Sequence, residues 1–508
     1  MRPVTSETIN HEHRHGLHYK REQELFNTVK NNENFFVGRQ WEGVRSNGLP
    51  TPTFNFLKRT VLYTVASLTS SSTKITVSSF GIVPDSNSPA GTDSDTACAA
   101  VNTELDAIFE TNKLNSLLRE MLRNSAVDGD GCLFVRWDPD APGYDGTGGA
   151  PSARGGIFTE AIQNTRVFFG NANDRHVESQ PYIIISRRAF IGDAKRQARE
   201  NGINPDNVLP DTDAELLPKE LREDDGKVTA LLRLWKDETT KTVWCAECTK
   251  DTMLRKPWDT GLTRYPLIWL PWDYVQNSYH GQAMITGLIP NQIFINKLFA
   301  MSMLSLMTTA YPKVIYDQSR IAKWDNRVGA AIPVLGGDVG GAARIIDPAH
   351  VSPQIAQFID TALSYSQTLL GATPAALGDV RPDNTSAIIA LQKASAIPNE
   401  LTRADLYQAV EDLGRIYIDF MRAYYGERYI ATDDGGKLFD FESLAGQELS
   451  LKLDVGASAY WSEIASMNTL DNLLVRGKID FADYLERVPE GYIPGRRELL
   501  EKAREPEA

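Results

Sequence analysis

The chain has 508 residues, 42% hydrophobic and 23% charged, a globular balance that excludes collagen-like, low-complexity and wholly disordered classes. At roughly 100–200 residues per domain it can bury more than one core. Sixty-six acidic against 53 basic side chains leave a net charge of −13, which argues against a protein that coats nucleic acid but not against one that lets nucleic acid pass unheld.

Residues 1–18 carry four of the seven histidines: His11, His13, His15 and His18. A His-rich tract can bind metal. No Cys or carboxylate cluster completes a site there, and a disordered polar arm over 1–18 is the expectation. Residues 1–30 hold no apolar run of the kind a secretory leader needs. Cys98, Cys132, Cys245 and Cys248 are too few for a disulfide framework in so long a chain, which points to a reducing cytoplasm.

Residues 19–30 have a helical pattern. Phe35–Trp41 leads into a turn, and residues 55–70 read as a helix with Leu57, Val61, Val65 and Leu68 on one face. Lys74–Val77 alternates like a strand, 84–95 is a Pro/Ser/Asp/Gly loop, and 97–125 reads as one long amphipathic helix. The middle of the chain changes character. Leu133–Trp137, Val167–Phe169, Tyr182–Ser186, Val228–Trp235 and Lys241–Trp244 are short β-branched and aromatic runs bounded by turn formers. Phe190–Asn201 reads as a helix, and 202–226 as a polar, acidic connector.

The second half is mainly helical. Residues 279–310 contain Ile293–Met307, apolar nearly all round and rich in methionine. A helix of that kind must be buried on all sides. The run is shorter than the ~20 residues a bilayer span needs, so no membrane role is expected. Lys313–Tyr316, Ile332–Leu335 and Ala343–Ile346 read as short strands, with a Gly-rich turn at Gly336–Gly341. Ser352–Leu370 reads as a helix, Gly371–Asn384 as a polar stretch, and Thr385–Tyr425 as a very long helix kinked at Pro398. A strand at Leu449–Val455 precedes helices at Trp461–Arg476, Asp480–Arg487 and Pro494–Arg504, the second with Asp480 as N-cap.

Chemical signatures are weak. Gly435-Gly436-Lys437 is followed by Leu438, so no phosphate-binding loop forms and an ATP-driven role has no support. Cys245-Ala246-Glu247-Cys248 is a lone C-x-x-C placed in an expected hairpin turn after Trp244. Asp128-Gly129-Asp130-Gly131, with Asp138 and Asp140, hints at calcium, but Cys132 stands where an EF-hand needs an oxygen ligand. No nucleophile elbow G-x-S-x-G is present. The expectation is a non-enzyme with no catalytic residues, no cofactor and no metal. The alternative left open is a metal-dependent nucleic-acid-processing enzyme using Asp128–Asp140 or Cys245/Cys248.

The order of these parts resembles the portal, or head–tail connector, proteins of tailed bacteriophages. Asn34-Phe35-Phe36-Val37-Gly38-Arg39-Gln40-Trp41 followed by Pro50-Thr51-Pro52-Thr53-Phe54-Asn55 is similar to the opening of many portals. Thr469–Asp480 with Tyr484–Arg487 resembles their closing helices. The resemblance implies an α+β, portal-like fold: an α/β wing, a two-helix stem, a small α/β clip, a long kinked helix and a helical crown. Matched by segment, the wing is 19–278, stem helix 1 is 279–311, the clip is 312–350 and stem helix 2 is 351–371. The tunnel loop is 372–385, the kinked wing helix and connector 386–447, and the wing strand and crown 448–508. The arm at 1–18 has no counterpart.

The resemblance further implies a ring of twelve copies at one capsid vertex of the virion, assembled in the host bacterial cytoplasm. Such a ring serves genome packaging and ejection. Its partners are the terminase, a head–tail adaptor, the major capsid protein and the double-stranded DNA passing through. Candidate tunnel residues are Arg381 and Asp383 in the loop and Lys297 on the first stem helix. Candidate clip contacts are Arg320, Lys323, Trp324 and Arg327, with Trp324 open to an interface or a local-core role. A non-ring virion structural or adaptor protein is the other reading of the same composition.

Overall fold

The computed structural model describes residues 4–69, 73–79, 94–142, 154–211, 226–310, most of 314–346 and of 357–365, 399–432, 435–446, 449–455, 460–488 and 499. Helices and antiparallel sheets are largely segregated along the chain, an α+β arrangement.

Helix α1 (Ser6–Glu22) opens the structure, capped by the Thr5 side chain, which accepts from the Thr8 amide. This corrects the expected disordered arm. Ile9 and Lys20 are buried on one side of α1, and His13 lies edge-on to Phe168, with ring centres 4.6 Å apart. The polar composition hid that inward face. Helix α2 (Leu25–Val37) follows a break at Glu24, whose φ is 52°. Helix α3 (Phe56–Leu68) begins at Asn55, whose Oδ1 accepts from the Lys58 amide at 3.1 Å. Strand β1 (Thr73–Ser79) leads to helices α4 (Ser94–Thr111) and α5 (Leu114–Asp128). The single helix expected over 97–125 is therefore two, because Lys113 takes a left-handed φ of 51°.

Strands β2 (Asp130–Asp138), β3 (Gly156–Ile162) and β9 (Leu267–Pro271) form a three-stranded sheet ordered β3-β2-β9. Leu114, Leu118, Met121, Leu122 and Ser125 of α5 face its core side at helical spacing. The approach is close. A Cβ at Gly131 would stand 2.4 Å from the Met121 carbonyl oxygen.

Strands β4 (Val167–Phe169), β5 (Ile183–Phe190), β6 (Lys227–Lys236), β7 (Val243–Cys248) and β8 (Met253–Asp259) make a five-stranded antiparallel meander. Its two faces are both covered. Phe169, Ile183, Ile185 and Cys245 join the main core, while Phe168, Ile184, Ala246 and Cys248 pack with Ile9 of α1. Helix α6 (Ile191–Glu200) adds a third cluster through Ala194 and Ala198. Cys245 and Cys248 thus lie inside β7, not in a hairpin turn, and belong to different clusters on opposite faces of the sheet.

Helix α7 (Ile289–Ala310) is the apolar helix, starting ten residues later than the expected 279. Residues 279–288 instead cross the end of the three-stranded sheet, with Gln282 bridged to Asp273. Strands β10 (Val314–Tyr316) and β11 (Ala343–Ile345) pair antiparallel, and 332–335 is not a strand. The described residues between 357 and 365 are helical. Helix α8 (Glu400–Tyr424) buries Leu406, Val410, Leu413, Tyr417 and Met421 in the main core. Pro398, the polar loop 371–384 and the last expected helix, except residue 499, lie outside the described residues.

The stretch expected as a connector holds a hairpin, β12 (Glu427–Thr432) with β13 (Gly435–Asp440). Strand β14 (Leu449–Val455) then pairs along its whole length with β1, seating Ile75 and Val77 under α8. Gly414 permits that seat, since a Cβ there would meet Ile75 and Leu451 at 2.8 Å. Helices α9 (Tyr460–Val475) and α10 (Phe481–Arg487) share a small core of Leu470, Tyr484, Leu485 and Val488.

Candidate functional site

The sequence places two amides, Gln292 and Asn296, one turn apart in the apolar helix. On α7 they share a face, and both are almost fully buried. Buried amides need partners, and the N-terminal aromatic segment supplies them. Gln292 Nε2 donates to the Phe54 carbonyl at 2.7 Å and to Asn296 Oδ1 at 3.0 Å. Asn296 Nδ2 donates to Gln40 Oε1 at 2.5 Å, and Gln40 Nε2 donates to the Phe35 carbonyl at 3.1 Å. Asn55 Nδ2 donates to the Phe36 carbonyl at 2.8 Å, and Trp41 Nε1 to the Pro52 carbonyl at 2.9 Å. One turn further along α7, Phe299 stacks on Phe54 with ring centres 3.9 Å apart. Gln40, Trp41, Phe54 and Asn55 thus form a socket that grips the first half of α7.

Past the socket α7 exposes apolar side chains among its described residues. Met301, Met303, Leu304, Leu306 and Met307 are exposed, Leu306 by 68%. At 100° per residue they spread over more than half the helix circumference. Ile293 and Phe294 extend the exposed apolar surface toward the socket. Lys297, the candidate tunnel residue on this helix, is exposed beside it.

The β10–β11 unit is held by its own contacts. The Asp317 amide donates to the Ala342 carbonyl at 2.9 Å, and Ile321 is buried. Trp324 is half-buried and stacked on Tyr316, with ring centres 5.6 Å apart. Arg320 exchanges backbone bonds with Leu335 and Asp317 and braces the loop. Arg327 is exposed and forks onto Asp325 at 2.6–3.1 Å, which holds the Asp325 carboxyl below the usual range. Lys323 is exposed. Of the four candidate contacts, Lys323 and Arg327 point outward. Arg381 and Asp383 lie outside the described residues.

A buried cluster joins the sheets to the segment that enters α7. His280 Nδ1 lies 2.6 Å from Asp130 Oδ2, and the Gly281 amide donates to Asp130 Oδ1 at 2.7 Å. Asn164 Nδ2 donates to the same carboxylate at 3.1 Å. Burial lowers the His280 pKa against the pull of Asp130. The Ser278 hydroxyl donates to the His280 carbonyl at 3.0 Å and lies 3.0 Å from the Tyr19 hydroxyl. It is committed to the backbone rather than to the imidazole. The cluster acts as a mechanical tie between β2 and the approach to α7.

The metal alternative fares poorly on geometry. Cys245 and Cys248 face opposite sides of β7, and burial pushes both thiols up, Cys248 to about 12. Among the described residues no three His, Cys, Asp or Glu side chains gather. Asp128 sits beside Arg123, whose guanidinium also bonds Glu33.

Sequence reasoning missed the socket as a unit. Its one local signal was a pair of amides at i and i+4 inside an apolar run. The partners lie 238 to 256 residues away.

Among the described residues no helix is long and apolar enough to cross a membrane. No curated protein matches the chain. The family model described as "Phage P22-like portal protein" matches residues 182–481, from the second strand of the meander to the start of α10. That span holds the whole of α7, the β10–β11 unit and α8, and it exceeds half of the sequence, so the chain belongs to the phage P22-like portal protein family, whose members are structural components of the virion.

Proposed function

We propose that this portal protein works as one of twelve identical subunits closed into a ring at a single capsid vertex, through which double-stranded DNA is packaged and later ejected. The observation that carries this reading is the exposed apolar surface of α7. One partner would need an apolar stripe of about 100°. The exposed residues cover more than half the circumference, which suits a helix flanked by a copy on each side. Heterologous contacts that rotate back on themselves close into rings. Covering this surface contributes about 25 cal/mol per Å² of apolar area removed from water, which favours assembly.

Charge supports a conduit. Twelve copies at −13 each carry −156. An acidic ring surrounds DNA without gripping it, whereas neutralising 6–10 phosphates would change affinity by about 10³–10⁵ over a modest salt range. Lys297, Arg381 and Asp383 are the residues we assign to the channel. The β10–β11 unit is the surface for the terminase and then the head–tail adaptor, with Lys323 and Arg327 in contact and Arg320 and Trp324 holding the loop's shape. The terminase supplies ATP hydrolysis, and the major capsid protein surrounds the ring.

Negative-stain imaging of the purified chain tests the reading. Rings with a central hole are expected, and Met303→Asp combined with Leu306→Asp should yield monomers with an unchanged circular dichroism spectrum. A wild-type chain that stays monomeric at high concentration overturns the ring and favours a non-ring structural protein.

A further inference from the structure

Helix α1 separates its histidines. His13 faces the five-stranded sheet, while His11, His15 and His18 face solvent. His11-Glu12-His13-Arg14-His15 has the H-E-x-x-H spacing, which on a helix sets two imidazoles one turn apart on one face. Here the ring centres of His11 and His15 are 5.3 Å apart. Two imidazoles on one tetrahedral cation, with nitrogen–metal distances of about 2.0–2.1 Å, place their ring centres about 5.2 Å apart. Neither ring has a hydrogen-bond partner among the described residues, so their nitrogens are available.

The hydrolytic use of this spacing is closed off. Glu12, which would serve as general base, is bonded through both oxygens to Arg233, at 2.6 Å and 2.9 Å. Arg233 is itself buried and stacked against Tyr182 and Trp235, so the carboxylate is fixed toward the sheet. Among the described residues no third protein ligand gathers at the pair.

We infer that His11 and His15 chelate one divalent transition cation of the zinc, nickel and copper class on the outer face of α1, with water in the remaining positions. Imidazole favours that class, whereas magnesium and calcium require oxygen ligands. The cation ties two successive turns of α1. The same helix is pinned to the sheet by Glu12 and by Lys20, whose Nζ donates to the Asn164 and Val167 carbonyls at 2.6 Å each. The inference is independent of the ring.

Titration calorimetry of the full chain with nickel chloride, and in parallel with magnesium chloride, tests it. The wild type should bind nickel and not magnesium. His11→Ala and His15→Ala should each weaken nickel binding about tenfold or more, while His18→Ala stays within about twofold. Both replaced positions are exposed and alanine is the best helix former, so α1 persists, which circular dichroism verifies. Amide exchange across α1 should slow on nickel addition in the wild type and not in His15→Ala. The assignment is overturned by absent nickel binding in the wild type, by unchanged binding in both variants, or by an equal loss in His18→Ala.

Discussion

Burial pushes the Asp128 carboxyl up to about 7, against the pull of the Arg123 guanidinium and with help from the charges of Glu33 and Asp130. In the unfolded chain the same group ionises near 4. Between those values the folded protein holds a proton that the unfolded chain gives up. Stability from this group is therefore complete below about pH 4 and is lost as pH rises to about 7. Asp128→Asn should remove the cost. Urea denaturation at pH 8 should find the variant more stable by about 1–3 kcal/mol, with the difference gone near pH 4. A variant no more stable at pH 8 would mean that Arg123 keeps the carboxylate charged. At this scale, residues were legible where their partner is local. Asp480 was expected as an N-cap, and its Oδ1 accepts from the Phe481 amide at 2.7 Å. Gln40, Gln292 and Asn296 were not legible as a set, because hydrogen bonds between distant segments leave no periodicity. Cys245 and Cys248 were misplaced because β7 runs on past Trp244 through both, with register shifts against β8 between Cys245 and Glu247 and between Glu247 and Cys248.

Helix α1 shows how a face can be hidden from composition. Its inward residues, Ile9, His13, Gly16 and Lys20, keep helical spacing, but two of the four are polar. In an isolated helix Gly16→Ala would gain about 1 kcal/mol. Against the sheet the added Cβ would stand 2.7 Å from Phe168 Cδ1. Gly16→Ala should therefore lower the melting temperature and speed amide exchange in α1. A higher melting temperature would show that Phe168 turns aside at no cost. The same limit of pattern reading explains the join between α4 and α5. The apolar stripe of Ile108, Leu114 and Leu118 runs on past the break, so only the left-handed backbone at Lys113 marks it. Elements with strict alternation or a clean 3–4 spacing, such as β1, α3 and β14, were legible. The hairpin at 427–440 was read as a connector, because its glycines and charges resemble a loop until paired.

At the scale of the whole chain, the pairing of β1 with β14 joins two segments far apart in sequence in one antiparallel ladder. Thr73 stands opposite Val455 and Ser79 opposite Leu449, and among the described residues β1 has no other strand neighbour. A chain truncated after residue 448 should lose the cooperative unfolding transition, because Ile75 and Val77 would sit on an unpaired edge under α8. Cooperative melting of that truncation at the wild-type temperature would count against the seam as a closure. The seam also sets a clock on synthesis. At 5–20 residues per second, about 20–75 s pass between the making of β1 and the making of its partner. During that time a nascent chain cannot present a finished body to its neighbours. A chain completes this body only once translation has passed β14, and products terminated before it are excluded by the topology itself.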